Sequence, residues 1–240
     1  MPIFHDIKTI FIRVPKTASA SMNKHLLDHV GLSGKLGEKE ALVSGPGRYG
    51  AMHDSIATAK KLLPRDTYNQ YFKFAFIRNP WDWIVSWVFY KRELGLFYFE
   101  DFNEWMEGIG RVAESRGGNY WDIKNEFAFY HVSFNNVRLE RCGSPHCRAN
   151  QGHECICLKI GRQRGYVCDE RDNIMVDFLG KFENIKEDWN FVASKIGVDN
   201  NLAHTNKTDH NHYKKIYTDK TAEIVYNLFR KDIDLFGYKF

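Results

Sequence analysis

The sequence lacks most of what would take it out of ordinary globular chemistry. No apolar run approaches the ~18 residues of a membrane-spanning helix, and Met1–Asp6 has no basic-then-apolar signal pattern. Charge of one sign is scarce: 34 basic against 30 acidic residues leave a net +4. That is too small and too evenly spread an excess to argue for nucleic acid, though it suits a local site for a small anion. The cysteines are few and odd in number, five in all, and every one falls between Cys142 and Cys168. They do not form a disulfide framework for a whole fold, and a reducing compartment is the simpler assumption. A Walker A loop is missing as well, since the glycine–lysine run Gly31–Lys35 fails on spacing. These absences together predict a soluble, cytoplasmic protein that is neither a P-loop kinase nor a membrane protein.

What is present is a chain of 240 residues with 15% aromatics, enough to bury a large core within one domain. Lys8–Val14 is β-branched and apolar and reads as a strand. A small polar loop follows Pro15, and the periodic run Met22, Leu26, Leu27, Val30 forms a helix stopped by Gly31. The same order recurs. Ser55–Leu63 is a short helix ended by Pro64, Tyr71–Ile77 is a strand, and Trp81–Arg92 is a helix. Residues 97 to 136 are aromatic and read as helical. Ile174–Leu179 returns to strand character, a helix after Glu183 runs to Gly197, and a last helix starts from a Thr218 N-cap. Repeated strand–loop–helix units predict a single α/β domain over 1–240. Its central parallel sheet is flanked by helices, with a phosphate-binding, P-loop-like loop after the first strand and a Cys/His-rich insertion at about 142–168.

Two strand ends carry candidate chemistry. After the first strand, Pro15, Lys16, Thr17, Ala18, Ser19, Ala20 and Ser21 place a cation and three hydroxyls at a helix start. Free N–H groups and the helix dipole attract an anion there. By itself the segment reads equally well as a strand–helix turn with an exposed lysine. After the later strand stands Arg78-Asn79-Pro80-Trp81-Asp82, with Ser86 one turn into the next helix. The arginine fork suits phosphate oxygens, but it also suits a helix-start ion pair with Asp82.

The two segments together resemble the sulfotransferases that use 3′-phosphoadenosine 5′-phosphosulfate (PAPS). Val14-Pro15-Lys16-Thr17-Ala18-Ser19-Ala20-Ser21 is similar to that family's 5′-phosphosulfate loop, closest to the carbohydrate-sulfating branch. Ser19 stands where glycine is usual and Ala20 where threonine is usual, which removes one hydroxyl ligand. Arg78-Asn79-Pro80-Trp81-Asp82 with Ser86 is similar to the 3′-phosphate motif. Segments at Val176–Asn184, His204–Thr208, Tyr217-Thr218 and Asp232–Phe240 resemble the family's later parts, and the Cys-rich stretch does not.

The resemblance implies sulfuryl transfer from PAPS to a hydroxyl acceptor, in line, with a sugar as the favoured acceptor. Pro15 to Ser21 would cradle the 5′ end, and Arg78 and Ser86 would grip the 3′-phosphate. Lys16 would neutralise the leaving oxygen, and His53 would take the hydroxyl proton. His53 also reads as a cap to the Ser55 helix. His204, Asn206 and Lys207 would border the nucleotide or acceptor, or form a plain polar loop. No metal is required. The insertion holds Cys142, Cys147, Cys155, Cys157, Cys168, His146 and His153, a set that suits zinc by ligand type but not by spacing; disulfides and free thiols stay open. The rival from a different class is a non-catalytic module that holds an anionic polymer or nucleic acid through this stretch. It leaves the paired phosphate motifs unexplained.

Overall fold

β-branched and aromatic residues suit a pleated surface, and short runs of them become the strands here. The computed structural model describes residues 1–31, 54–93, 99–115, 131–133, 136–140, 163–202 and 211–240. Along the chain these form β1 (Ile3–Phe4), β2 (Thr9–Ile12), α1 (Ser19–His29), α2 (Ile56–Leu62), α3 (Arg65–Gln70), β3 (Phe72–Ile77) and α4 (Pro80–Glu93). Then come α5 (Phe102–Ser115), β4 (His131–Ser133), β5 (Asn136–Glu140), α6 (Arg164–Val167), β6 (Phe178–Lys181), α7 (Ile185–Ile196) and α8 (Asp219–Phe236). They group into two units, residues 1–79 with 163–207 and residues 80–162 with 208–240.

The first unit is built on a four-stranded sheet of order β1-β2-β3-β6. β1 is antiparallel to β2, while β2 with β3 and β3 with β6 are parallel, in register Ile12↔Ala75 and Ile77↔Lys181. Alternation sends Phe11, Phe74 and Phe76 to one face. There they pack with Met22, Leu26 and Leu27 of α1 and Trp189, Val192 and Ala193 of α7. Phe11 and Phe74 stack at 4.6 Å between centroids. Ile10, Ile12, Ala75 and Ile77, of opposite alternation, are also buried. A sheet closed on both faces explains why these strands read as continuous apolar runs. Lys73 is the polar exception. Its ammonium meets Asp177 at 2.9 Å and the carbonyls of Tyr68 and Tyr71, so its buried charge is matched.

Helix ends follow local chemistry. Ser55 accepts from the Thr58 N–H to start α2, and Gly31 and Gly197 take positive φ just past α1 and at the end of α7.

The second unit gathers α4, α5, α8 and the antiparallel pair β4–β5. Trp83 of α4 meets Phe229 of α8 edge-on at 5.9 Å, and Trp81 Nε1 donates to the Ala222 carbonyl at 2.8 Å. Thr218 and Thr221 form a reciprocal capping box at the start of α8.

Among the described residues most sequence expectations hold to within three residues at each end, with two exceptions. Among the described residues of 97–136 the helix covers Phe102–Ser115, whereas His131–Ser133 is a strand paired with Asn136–Glu140. The alternation Asn136, Val137, Arg138, Leu139, Glu140 has a period of two, which favours a strand. The strand expected at Ile174–Leu179 is shifted to Phe178–Lys181. Pairing with β3 begins where the Asp177 N–H reaches the Lys73 carbonyl at 2.8 Å, whereas Ile174 makes only an isolated bridge with Cys168.

Candidate active site

Because β2, β3 and β6 run parallel, their C-terminal ends fall on one edge of the sheet, and the chain leaves each of them through a polar segment. From β2 it passes Arg13, Val14 and Pro15 and then turns sharply. Lys16 and Ala18 both adopt left-handed backbone, at φ 60° and 59°, a conformation that costs a non-glycine residue roughly 1–2 kcal/mol. Thr17, buried between them, donates its hydroxyl to the Val14 carbonyl at 2.9 Å and closes the turn. That proton is therefore committed inside the loop. Ala18 is the N-cap of α1, which begins with no side-chain cap and no acidic residue in its first turn. The positive end of the helix is thus not neutralised from within its own sequence. Ser19 and Ser21 are buried, Lys16 is half-buried, and Ala20 is exposed.

Arg78 stands one residue beyond β3 and is buried. Its guanidinium lies 4.1 Å from the centre of the Phe182 ring, and Nη1 donates to the Lys16 carbonyl at 3.1 Å. The two motifs singled out in the sequence thus meet, across 62 residues of chain. The backbone around Arg78 is held by side chains from two further segments. Its N–H donates to Gln163 Oε1 at 2.8 Å, and its carbonyl accepts from Gln163 Nε2 at 2.6 Å. The next N–H, that of Asn79, donates to Glu183 Oε1 at 2.6 Å. Phe182 and Glu183 follow directly on β6, so the third parallel strand also delivers its end to this edge.

Ser86 is buried in α4 and belongs to the second unit. His53 lies outside the described residues, as do His204, Asn206, Lys207, His146, His153 and four of the five cysteines. Asp54, next to His53, is half-buried, and burial raises its carboxyl above the ordinary range. Cys168 is buried, and among the described residues no group of three or more His, Cys, Asp or Glu side chains is placed to hold a metal ion. Also among the described residues, no helix is long and apolar enough to cross a membrane.

Sequence reasoning missed Gln163, Phe182 and Glu183. Phe182 and Glu183 lie within a segment that resembles the family's later parts but carries no legible chemistry of its own, and Gln163 carries no signal at all.

The fold defines an α/β protein whose parallel strands end together, on the edge where such folds bind ligands. The particular family follows from comparison with known proteins: the model of the sulfotransferase family matches residues 2–239, and the chain belongs to that family. Sulfuryl transfer is the general activity of its members. Comparison with curated proteins and with solved structures gave no match.

Proposed function

We propose that the chain is a PAPS-dependent sulfotransferase whose acceptor is a hydroxyl group, with carbohydrates as the preferred acceptor class. The observation that carries this reading is the meeting of Lys16 and Arg78 through the 3.1 Å hydrogen bond between them. One motif alone is a turn with a lysine. Two cations at neighbouring strand ends, one beside an uncapped helix start, suit a ligand with anionic groups at both ends. The left-handed backbone at Lys16 and Ala18 supports the same reading, because strain of this kind collects where backbone N–H groups are turned toward a ligand.

In this scheme the backbone of residues 15–21 and the Lys16 ammonium hold the 5′-phosphosulfate. The Arg78 guanidinium, with the Ser86 hydroxyl as its expected companion, holds the 3′-phosphate. His53 accepts the proton of the acceptor hydroxyl as its oxygen forms the new bond to sulfur. The bond between sulfur and the bridging phosphate oxygen breaks, and Lys16 stabilises the negative charge left on adenosine 3′,5′-bisphosphate. Electrons and protons balance without a metal. Ala20, exposed at the helix start, offers no hydroxyl to the 5′ end, so backbone amides carry that part of the binding. The preference for a sugar and the cytoplasmic setting rest on the loop resemblance and on the sequence reading given above.

Thermal unfolding with adenosine 3′,5′-bisphosphate, against ADP and ATP at equal concentration, tests the donor site. A ligand at a hundred times its Kd adds about 2.7 kcal/mol, which raises the midpoint by roughly 5–10 °C for a chain of this size. A shift with the bisphosphate that Arg78→Ala abolishes supports the assignment. An equal shift with ATP, or none, sinks it.

A further inference from the structure

We propose that Gln163 is the positioning residue that makes Arg78 a selective reader of the 3′-phosphate. This rests on the reading of Arg78 given above. Gln163 is fully buried, and its amide spans the backbone of one residue, accepting from the Arg78 N–H at 2.8 Å and donating to the Arg78 carbonyl at 2.6 Å. Only one orientation of the amide satisfies both bonds, since N–H must meet oxygen and carbonyl must meet NH₂. The pairing copies a β-ladder one residue past the last registered pair, Ile77↔Lys181. A side chain 85 positions away thereby continues the sheet where the strand itself stops.

The consequence for the guanidinium is geometric. Fixing the N–H and C=O of one residue fixes the peptide planes on both sides of it, and with them the direction of its Cα–Cβ bond. From that base the Arg78 side chain reaches Phe182 and the Lys16 carbonyl. A bidentate grip on phosphate tolerates errors of only about 0.5 Å, so the base must not rock. Glu183 accepts from the Asn79 N–H, which shares a peptide plane with the Arg78 carbonyl, and so supports that plane together with Gln163; the Arg78 N–H, on the preceding plane, is met by Gln163.

The test compares adenosine 3′,5′-bisphosphate with adenosine 5′-monophosphate, which differ only in the 3′-phosphate, by calorimetric titration of four proteins. These are the parent, Arg78→Ala, Gln163→Met and the double variant. Gln163→Met keeps the volume and removes both hydrogen bonds. We expect it to weaken the bisphosphate roughly tenfold and to leave the monophosphate within about twofold. In the Arg78→Ala background the same change has no further effect on either ligand, because its action runs through the arginine. Should the methionine variant not fold, Gln163→Asn, which keeps the amide neutral but is one methylene too short to span both groups of Arg78, is judged on the same ratio. A parent protein that does not distinguish the two nucleotides overturns the reading of Arg78 and this inference with it. A parent that does distinguish them, with the ratio intact in the Gln163 variant or equally reduced with and without Arg78, overturns the inference alone.

Discussion

Gly180 sits opposite Phe76 in the β3–β6 ladder, and replacing it with alanine should damage the sheet that carries the candidate site. A Cβ built there lies 2.5 Å from Phe76 Cε1 and 2.8 Å from both Cδ1 and Cζ, where ordinary contact starts at 3.4 Å. The ring must therefore move by about 1 Å. It has no slack, being fully buried with Phe74 at 6.3 Å and Phe178 at 6.4 Å between ring centres. Overpacking of this kind costs about 1–3 kcal/mol. For a chain of this length 2 kcal/mol lowers the thermal midpoint by roughly 4–8 °C. Phe76→Val removes all three clashing atoms, yet alone it opens a cavity costing roughly 3 kcal/mol. If the clash is the cause, the two changes compensate, and the double variant is more stable than their sum by at least about 1 kcal/mol. Melting followed by near-ultraviolet circular dichroism reads all three. A Gly180→Ala midpoint within about a degree of the parent, or strict additivity in the cycle, would refute the steric argument.

Two further outcomes follow from the loop and from the proposed chemistry. Ala18→Gly removes a left-handed penalty of about 1–2 kcal/mol and loses about 0.5–1 kcal/mol to the freer unfolded chain. It should therefore raise the stability by a net ~0.5 kcal/mol, read as a higher denaturation midpoint, while Ala18→Val should lower it; a fall with glycine would contradict the strain argument. His53→Gln should reduce kcat by about 10²–10⁴-fold with bisphosphate affinity unchanged, and full activity in that variant would remove His53 from the mechanism.

The parts of this protein that could be read in its sequence are those where the cause is local. Thr218 announces α8 because its hydroxyl caps a turn three residues away, and Gly31 marks the end of α1 because left-handed backbone favours glycine. Pro80 opens α4 at a helix position that needs no N–H. Lys16 and Arg78 were legible as types of residue in types of place, a cation after a strand and before a helix. The strand at β6 was displaced because its ladder is set by β3, about a hundred residues earlier, and not by its own apolar run. Gln163 was invisible for the same reason taken further. A glutamine that pairs with a distant peptide looks like any other glutamine, and only the folded chain shows what it faces.

The β3–β6 pairing also has a consequence in time. Lys73 and Asp177, like Asn79 and Glu183, meet across 104 residues. At about 5–20 residues per second, the ribosome takes roughly 5–20 s to deliver the second strand after the first. During that interval the flank of β3 that β6 will occupy has no native partner, with Phe74 and Phe76 among its residues. Contacts this remote in sequence slow folding, because a large loop must close before they form. The edge that gathers Arg78 is thus among the last parts of the molecule to be completed. A nascent chain halted before Gln163 holds the arginine but neither of the side chains that steady its backbone.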